Sequence, residues 1–312
     1  MDFYSNGKLL LTGEYVLLDG AKGLALPTRF GQSLSVQPLG EPKLIWESYT
    51  NNKQRWLQVE FDLPKLRIVT ETFDTANDGG HDSLAHNLHT ILVEAKKMNP
   101  DFLNDSNGFL VCSYLDFKRN WGLGSSSTLI NNIAQWAAID AFALQFNTFG
   151  GSGYDIACAQ KDYPIIYQLV DNNPHFKAVD FNPNFKEQLY FVYLNKKQNS
   201  REGIAAYQHK KRNIDKTITT VSTLTEQLSN CTSLPDFEKL LAAHETVIST
   251  LLHQQPIQQQ LFSDYFGQTK SLGAWGGDFI LATGNRDTPA YFKHKGFKTV
   301  IRYADMILCN NK

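Results

Sequence analysis

Between residues 108 and 146 the chain passes without a break from an apolar strand pattern, through a glycine turn, into a long apolar helix pattern. "GFLVCSYLDF" reads as a strand and "WGLGSSST" as the turn. "STLINNIAQWAAIDAFALQF" then sets Leu129, Ile130, Ile133, Trp136, Ala137, Phe142, Ala143 and Phe146 at helical spacing, with no Gly or Pro between them. A helix that is apolar on most sides has to be covered on most sides. The rest of the chain must therefore supply a sheet and further helices to enclose it.

The flanking sequence offers both. From Phe3 to Val36, short apolar runs ("KLLL", "EYVLL", "LALP") are broken by Asn6-Gly7 and Asp19-Gly20, dipeptides of the hairpin type, which predicts an antiparallel start. "LIWESY", "RWLQVEFDL" and "LRIVTETF" continue it as strands. "HDSLAHNLHTILVEAKKM" turns to helical period, with Asp82 or Ser83 as its N-cap. Beyond a second glycine turn, "YPIIYQLV" and "LYFVYL" read as strands and "NSREGIAAYQ" as a helix start. Helices follow over 212–229 and 236–252, then "FILATG" and "FKTVIRYADMIL" close the chain. A β-rich first half and a helix-rich second half predict an α+β protein of two domains, 1–160 and 161–312, which suits a length of 312 residues.

Charge excludes some function classes. Lys plus Arg number 30 against 31 for Asp plus Glu, so nothing favours nucleic acid or an anionic membrane, and a small-molecule partner is the default. The N-terminus has no signal-peptide pattern and no apolar run is long enough to span a bilayer, which makes a cytoplasmic location the expectation. Cys112, Cys158, Cys231 and Cys309 are widely spaced and read as buried free thiols. His81, His86 and His89 read as solvated helix histidines rather than metal ligands.

The glycine turn carries the chemistry. Backbone N–H groups at a helix start meet phosphate oxygens where the helix dipole is positive, and glycines let the ligand approach. In "GLGSSS" (122–127), Gly122 and Gly124 supply that freedom, and Ser125, Ser126 and Ser127 supply N–H groups and hydroxyls. A serine-rich helix cap behind a strand has the same composition, so both readings stand on this segment alone. There is no GxxxxGK[ST], no GxGxxG after a strand and no GxSxG elbow.

Four segments in order settle on a resemblance: "GKLLLTGEYVLLDG" (7–20), "WGLGSSST" (121–128), "GSGYDIA" (151–157) and "GAWGGDFILA" (273–282). Together they resemble the GHMP kinase superfamily, and within it are most similar to phosphomevalonate and mevalonate kinases. The resemblance implies an N-terminal domain like ribosomal protein S5 domain 2 and a ferredoxin-like C-terminal domain. It also implies ATP and Mg2+ as cofactors, mevalonate or phosphomevalonate as acceptor, and a monomer or homodimer. It assigns the ATP phosphates to Gly122, Leu123, Gly124, Ser125, Ser126 and Ser127, the metal to Ser126, and catalysis to Asp155 and Lys8. The acceptor falls to Glu14, Ser152, Gly153, Ser200, Arg201, Gly273, Gly276, Gly277 and Asp278, although Glu14 and Tyr15 are more often structural at this place.

The chain departs from the family pattern in four ways. Lys118 stands where a proline is usual, followed by Arg119, and both are candidates for phosphate contact or for solvent. Trp275 puts a bulky ring in the third glycine loop and is expected to narrow the acceptor pocket. Asp155 follows Ser126 by only 29 positions (155 minus 126), so a helical segment is missing. With it goes the usual acidic metal ligand, for which Asp140 and Gln145 are no clear replacement. That leaves Mg2+ to Ser126, phosphates and water, or leaves catalysis weak.

Overall fold

In the computed structural model, residues 1–73, 81–104, 107–198, 200–210 and 213–309 are described; at 81–83, 200, 201, 206 and 210 the description stops at the backbone. The architecture is α+β. Contacts group the chain into two compact units, one of residues 1–7, 30–119 and 123–160, the other of 8–29, 120–122 and 161–312.

In the first unit β3 (Lys43–Tyr49), β4 (Arg55–Asp62), β5 (Ile68–Phe73) and β6 (Gly108–Leu115) join β2 (Gly23–Leu39) in the order β5-β4-β3-β6-β2, and β1 (Asp2–Leu10) also pairs with β2. β6 runs parallel to β3, with Leu44 opposite Phe109, and antiparallel to β2, with Gln32 opposite Leu115. Strict alternation gives this sheet its buried face: Leu44 and Trp46 of β3, Leu57, Val59 and Phe61 of β4, Val111 of β6. Against them pack Leu88, Ile91, Leu92 and Ala95 of α1 (His81–Met98) and Ile130, Ile133, Ala134 and Ala137 of α2 (Ser125–Ala137). Each fully buried aliphatic or aromatic side chain in this layer contributes about 1.5–3 kcal/mol.

The predicted single helix over 127–146 is two. Ala138 takes a left-handed conformation (φ 53°), and Asp140 then caps α3 (Ala141–Thr148) by accepting from Phe142 N (2.7 Å) and Ala143 N (3.2 Å). α4 (Tyr154–Gln160) completes the unit and packs on α2, tied there by Gln160 Nε2 donating to Asn131 Oδ1 (3.1 Å).

The second unit holds β7 (Ile165–Val170), β8 (Asn173–Ala178) and a four-stranded sheet. β9 (Leu189–Tyr193), β10 (Thr269–Ser271), β11 (Phe279–Thr283) and β12 (Val300–Arg302) build that sheet in the order β10-β11-β9-β12, all antiparallel. Its helices are α5 (Ser200–Lys210), α6 (Asp215–Ser229), α7 (Leu234–Leu252), α8 (Ile257–Leu261), α9 (Thr288–His294) and α10 (Tyr303–Met306).

Several local expectations give way to tertiary context. Asn6 and Gly7 lie inside β1, where pairing with β2 overrides their turn preference. "EYVLL" forms a 3-10 helix at Val16–Asp19 rather than a strand, closed by left-handed Gly20 (φ 89°). Helix α1 begins at His81, ahead of both proposed caps. All four cysteines are free, but Cys158 alone is buried, the other three being half-buried. His86 and His89 lie beside each other and His89 stacks on Phe61; the His81 side chain lies outside the described residues. Among the described residues no cluster of His, Cys, Asp or Glu is arranged to hold a metal, and no helix is long and apolar enough to cross a membrane.

Candidate functional site

The glycine loop forms at the junction of β6 and α2. Gly122 (φ 68°) and Gly124 (φ 91°) both take left-handed conformations, and Gly124 is the residue from which α2 starts. Leu123 is buried and anchors the loop. Ser125 is half-buried, Ser126 exposed and Ser127 buried. Ser127 Oγ donates back to the Gly124 carbonyl (2.8 Å), and Thr128 Oγ1 donates to Gln32 Oε1 (2.5 Å). Among the described residues no side chain accepts from the N–H groups of Ser125, Ser126 or Ser127. The serines therefore do not cap the helix. Its positive end stays unsatisfied, which is the arrangement that receives an anion.

Asp155 sits half-buried in the first turn of α4, behind Gly150 (φ 67°), Gly151 (φ 97°), half-buried Ser152 and buried Gly153 (φ 84°). Gln145 Nε2 donates to the Gly150 carbonyl (2.7 Å) and braces this turn. Gln145 and the α3 cap Asp140 thus hold local structure. Arg119 sets its guanidinium over the Trp56 ring, 3.7 Å from the centroid, a cation–π contact.

In the second unit Lys8 Nζ donates to the Gly122 carbonyl (2.9 Å). Asp278, 8% exposed, presses its carboxyl against Gly122, so that a Cβ at Gly122 would collide with it. The Asp278 backbone is left-handed (φ 53°) and pinned: its N–H donates to Lys196 O (2.7 Å) and its carbonyl accepts from Leu194 N (2.8 Å). Gln198 N donates to Oδ1 (3.1 Å). Burial pushes this carboxyl up from the ordinary aspartate range, while Lys8, the Gln198 N–H and Lys197 pull it down. Trp121 packs edge-on against Phe279, and Tyr193 Oη donates to Asn120 O (2.9 Å), holding the start of the glycine loop to the strands beside Asp278.

The third loop has left-handed Gly273 (φ 60°) and Gly276 (φ 91°), and Gly277 lies too close to Lys196 and Gln198 for a side chain. Trp275 corrects the expectation that it narrows an acceptor pocket. Its ring is buried (3% exposed) among Val16, Ala21, Tyr207, Val221, Ile248 and Leu252, and the Trp275 backbone N–H donates to Tyr15 Oη (3.3 Å). Ser200 and Arg201 begin α5, and their side chains lie outside the described residues.

Glu14 faces inward. Its carboxylate is fully buried and pairs with the Lys270 ammonium, which also stands 3.5 Å from Glu245 Oε1. His244 Nε2 accepts from Gly13 N (3.2 Å) and lies 3.5 Å from Glu14 Oε2. Burial, with Glu14 adding and Lys270 opposing, pushes the Glu245 carboxyl up to about 7. Burial and the Lys270 charge push His244 well below the usual imidazole range. Lys270, Glu245 and His244 went unnoticed in the sequence because each is a single polar residue with no periodic or motif signal around it.

No protein-family model and no curated protein sequence matches the chain. Solved structures do. Methanococcus jannaschii mevalonate kinase superposes with a TM-score of 0.71 at 14% identity, over 99% of this chain and 98% of that one. Streptococcus pneumoniae phosphomevalonate kinase, solved with phosphomevalonate and AMPPNP, gives 0.65 at 15% identity over 99% and 98%. Lactococcus lactis galactokinase, solved with galactose, gives 0.66 at 14% over 94% and 88%. With its glycine loop opening an uncapped helix and its two sheets matched end to end, this chain has the fold of the GHMP kinases.

Proposed function

We propose that the protein is an ATP-dependent small-molecule kinase of the GHMP type, transferring the γ-phosphoryl group to mevalonate or phosphomevalonate in isoprenoid precursor synthesis. The observation that carries this reading is the uncapped start of α2 behind Gly122 and Gly124, whose free N–H groups suit nucleotide phosphates. Residues 1–160 carry the phosphate loop Gly122–Ser127, and residues 161–312 bring the third loop.

In this reading an acceptor oxygen attacks the γ-phosphorus and the bond from that phosphorus to the ADP oxygen breaks. Asp155 orients the acceptor and takes the proton when it is an alcohol. Lys8 stabilises the charge on the transferring group. Ser152, Gly153, Ser200, Arg201, Gly273, Gly276, Gly277 and Asp278 are the acceptor-side residues, while buried Glu14 acts through the fold. The exposed Ser126 hydroxyl is a hard oxygen donor of the kind Mg2+ takes, so the site fits the ion. When bound, Mg2+ neutralises charge on the phosphates. Catalysis then rests on positioning and charge. A cytoplasmic location and a monomer or homodimer complete the proposal.

A second reading, a catalytically weak nucleotide-binding relative, is favoured by one observation: Asp140 and Gln145, the residues nearest in sequence to the missing acidic ligand, are occupied in capping α3 and bracing a turn. A steady-state assay with ATP and Mg2+ against both acceptors, a sugar and homoserine separates these. Turnover of mevalonate or phosphomevalonate above the ATPase background is expected, falling about 10²–10⁴-fold in Asp155→Asn. Turnover of a sugar or homoserine alone reassigns the acceptor. No turnover with any acceptor, alongside intact nucleotide binding, supports the weak relative.

A further inference from the structure

The first turn of α2 is Ser125, Ser126, Ser127 and Thr128, four hydroxyl residues, so no large apolar side chain fixes where its N–H groups point. Further along, the helix is buried on two faces. Ile130, Ile133, Ala134 and Ala137 meet the sheet, while Thr128, Asn131 and Asn132, at i, i+3 and i+4, form a polar stripe no more than 2% exposed. Buried polar groups are costly unless bonded, and each of these is bonded. Asn131 Nδ2 donates to Ser5 Oγ (2.8 Å), Ser5 Oγ donates to Asn132 Oδ1 (2.7 Å), and Asn132 Nδ2 donates to the Gln32 carbonyl (2.9 Å). At the loop end of the stripe the buried Gln32 side chain bridges β6 and the helix. Its Nε2 donates to Ser113 Oγ (2.6 Å) and its Oε1 accepts from Thr128 Oγ1. Thr128 N in turn closes the first helical bond on the Gly124 carbonyl (3.0 Å). All of these residues belong to the first unit.

We propose that Gln32 is a positioning residue for nucleotide binding: by tying Thr128 to Ser113 it fixes the first turn of α2 and aims the N–H groups of Ser125, Ser126 and Ser127 at the phosphates. Gln32 has this role only if residues 122–127 hold the nucleotide phosphates, as proposed above. Apolar packing on the other face lets a helix end shift or rotate slightly, whereas directed hydrogen bonds in a buried setting do not. A turn already held in its binding geometry loses little freedom when the ligand arrives; a loose one has to be ordered by the ligand, and affinity falls. The tether therefore acts on phosphate binding through geometry, without touching the ligand.

AMPPNP affinity of the full chain, measured by calorimetry at a temperature where each variant is still fully folded by circular dichroism, tests this without turnover. Gln32→Met keeps the length of the side chain and removes its hydrogen bonds; Thr128→Val keeps the shape and removes the hydroxyl. Both are expected to bind AMPPNP about tenfold more weakly than wild type. Thr128→Ser, which keeps the hydroxyl, and Ile133→Val, which loosens the apolar face of the same helix, are expected to bind as wild type does. Wild-type affinity in Gln32→Met and Thr128→Val overturns the role of Gln32 and leaves the phosphate loop in place. An equal loss in Ile133→Val, or in Thr128→Ser, overturns it too, because general loosening and not the tether would then be responsible. Should Gln32→Met fail to fold, the contrast between Thr128→Val and Thr128→Ser decides. Failure of the wild-type protein to bind AMPPNP overturns the loop assignment, and the role of Gln32 with it.

Discussion

Gly122 shows how far a single residue is constrained. Its backbone sits at φ 68°, its carbonyl takes the Lys8 ammonium, and the space where a Cβ would stand is filled by the Asp278 carboxyl. Gly122→Ala therefore meets two penalties, a conformational one of about 1–3 kcal/mol and a steric one. Its expected outcome is a loss of nucleotide affinity of about tenfold or more, read by titration with AMPPNP. Adding Asp278→Gly removes the collision but not the backbone cost, so the double variant recovers part of the loss. The demand for glycine here was legible from "GLGSS", because either reading of that segment, phosphate loop or helix cap, turns the chain at its glycines. That Asp278 fills the space was not, since the two residues lie 156 positions apart (278 minus 122).

At the scale of elements, local patterns identified strands and helices well and their boundaries less well. β3, β4 and β6 and helices α1, α6 and α7 follow from alternation and helical period, because burial of one face writes itself into the sequence. The break between α2 and α3 had a signal too, an aspartate ahead of a new apolar run, but the unbroken hydrophobicity masked it. Trp275 is the clearest case of a residue misjudged from its loop. Its neighbours are glycines, yet its ring belongs to the core around Val16, Tyr207, Val221, Ile248 and Leu252. Trp275→Ala is accordingly expected to cost about 3–5 kcal/mol in urea-induced unfolding. Trp275→Phe, which keeps part of the ring packing, is expected to cost less and to leave the acceptor KM unchanged. A shifted KM with unchanged stability would return the ring to the acceptor side.

At the scale of the whole molecule, the buried group of Glu14, Glu245, Lys270 and His244 ties the 8–29 segment, α7 and β10 together inside the second unit. Two carboxylates share one ammonium, and burial pushes both carboxyls up from their ordinary range and the imidazole down from its own. Glu245, raised to about 7 by burial, binds its proton more tightly in the folded state than in the unfolded one. Its contribution is fully present below the unfolded value near 4.5 and is lost as pH rises through about 7. His244, depressed by burial, has the opposite sign below its ordinary value, so the comparison between variants isolates Glu245. Glu245→Gln is expected to be more stable than wild type at pH 8 relative to pH 5, by on the order of 2 kcal/mol in urea midpoints taken across that range. Parallel pH profiles for the two proteins would show that the proton resides elsewhere. The sequence by itself determined the α+β class and the order of most elements, because periodicity and turn chemistry are local and leave local marks. Only the tertiary structure decided that the serines leave the helix uncapped, that Glu14 and Trp275 turn inward, and that Asp278 lies on Gly122. Each of those depends on which distant residue fills the space beside a side chain, and no spacing along the chain records that.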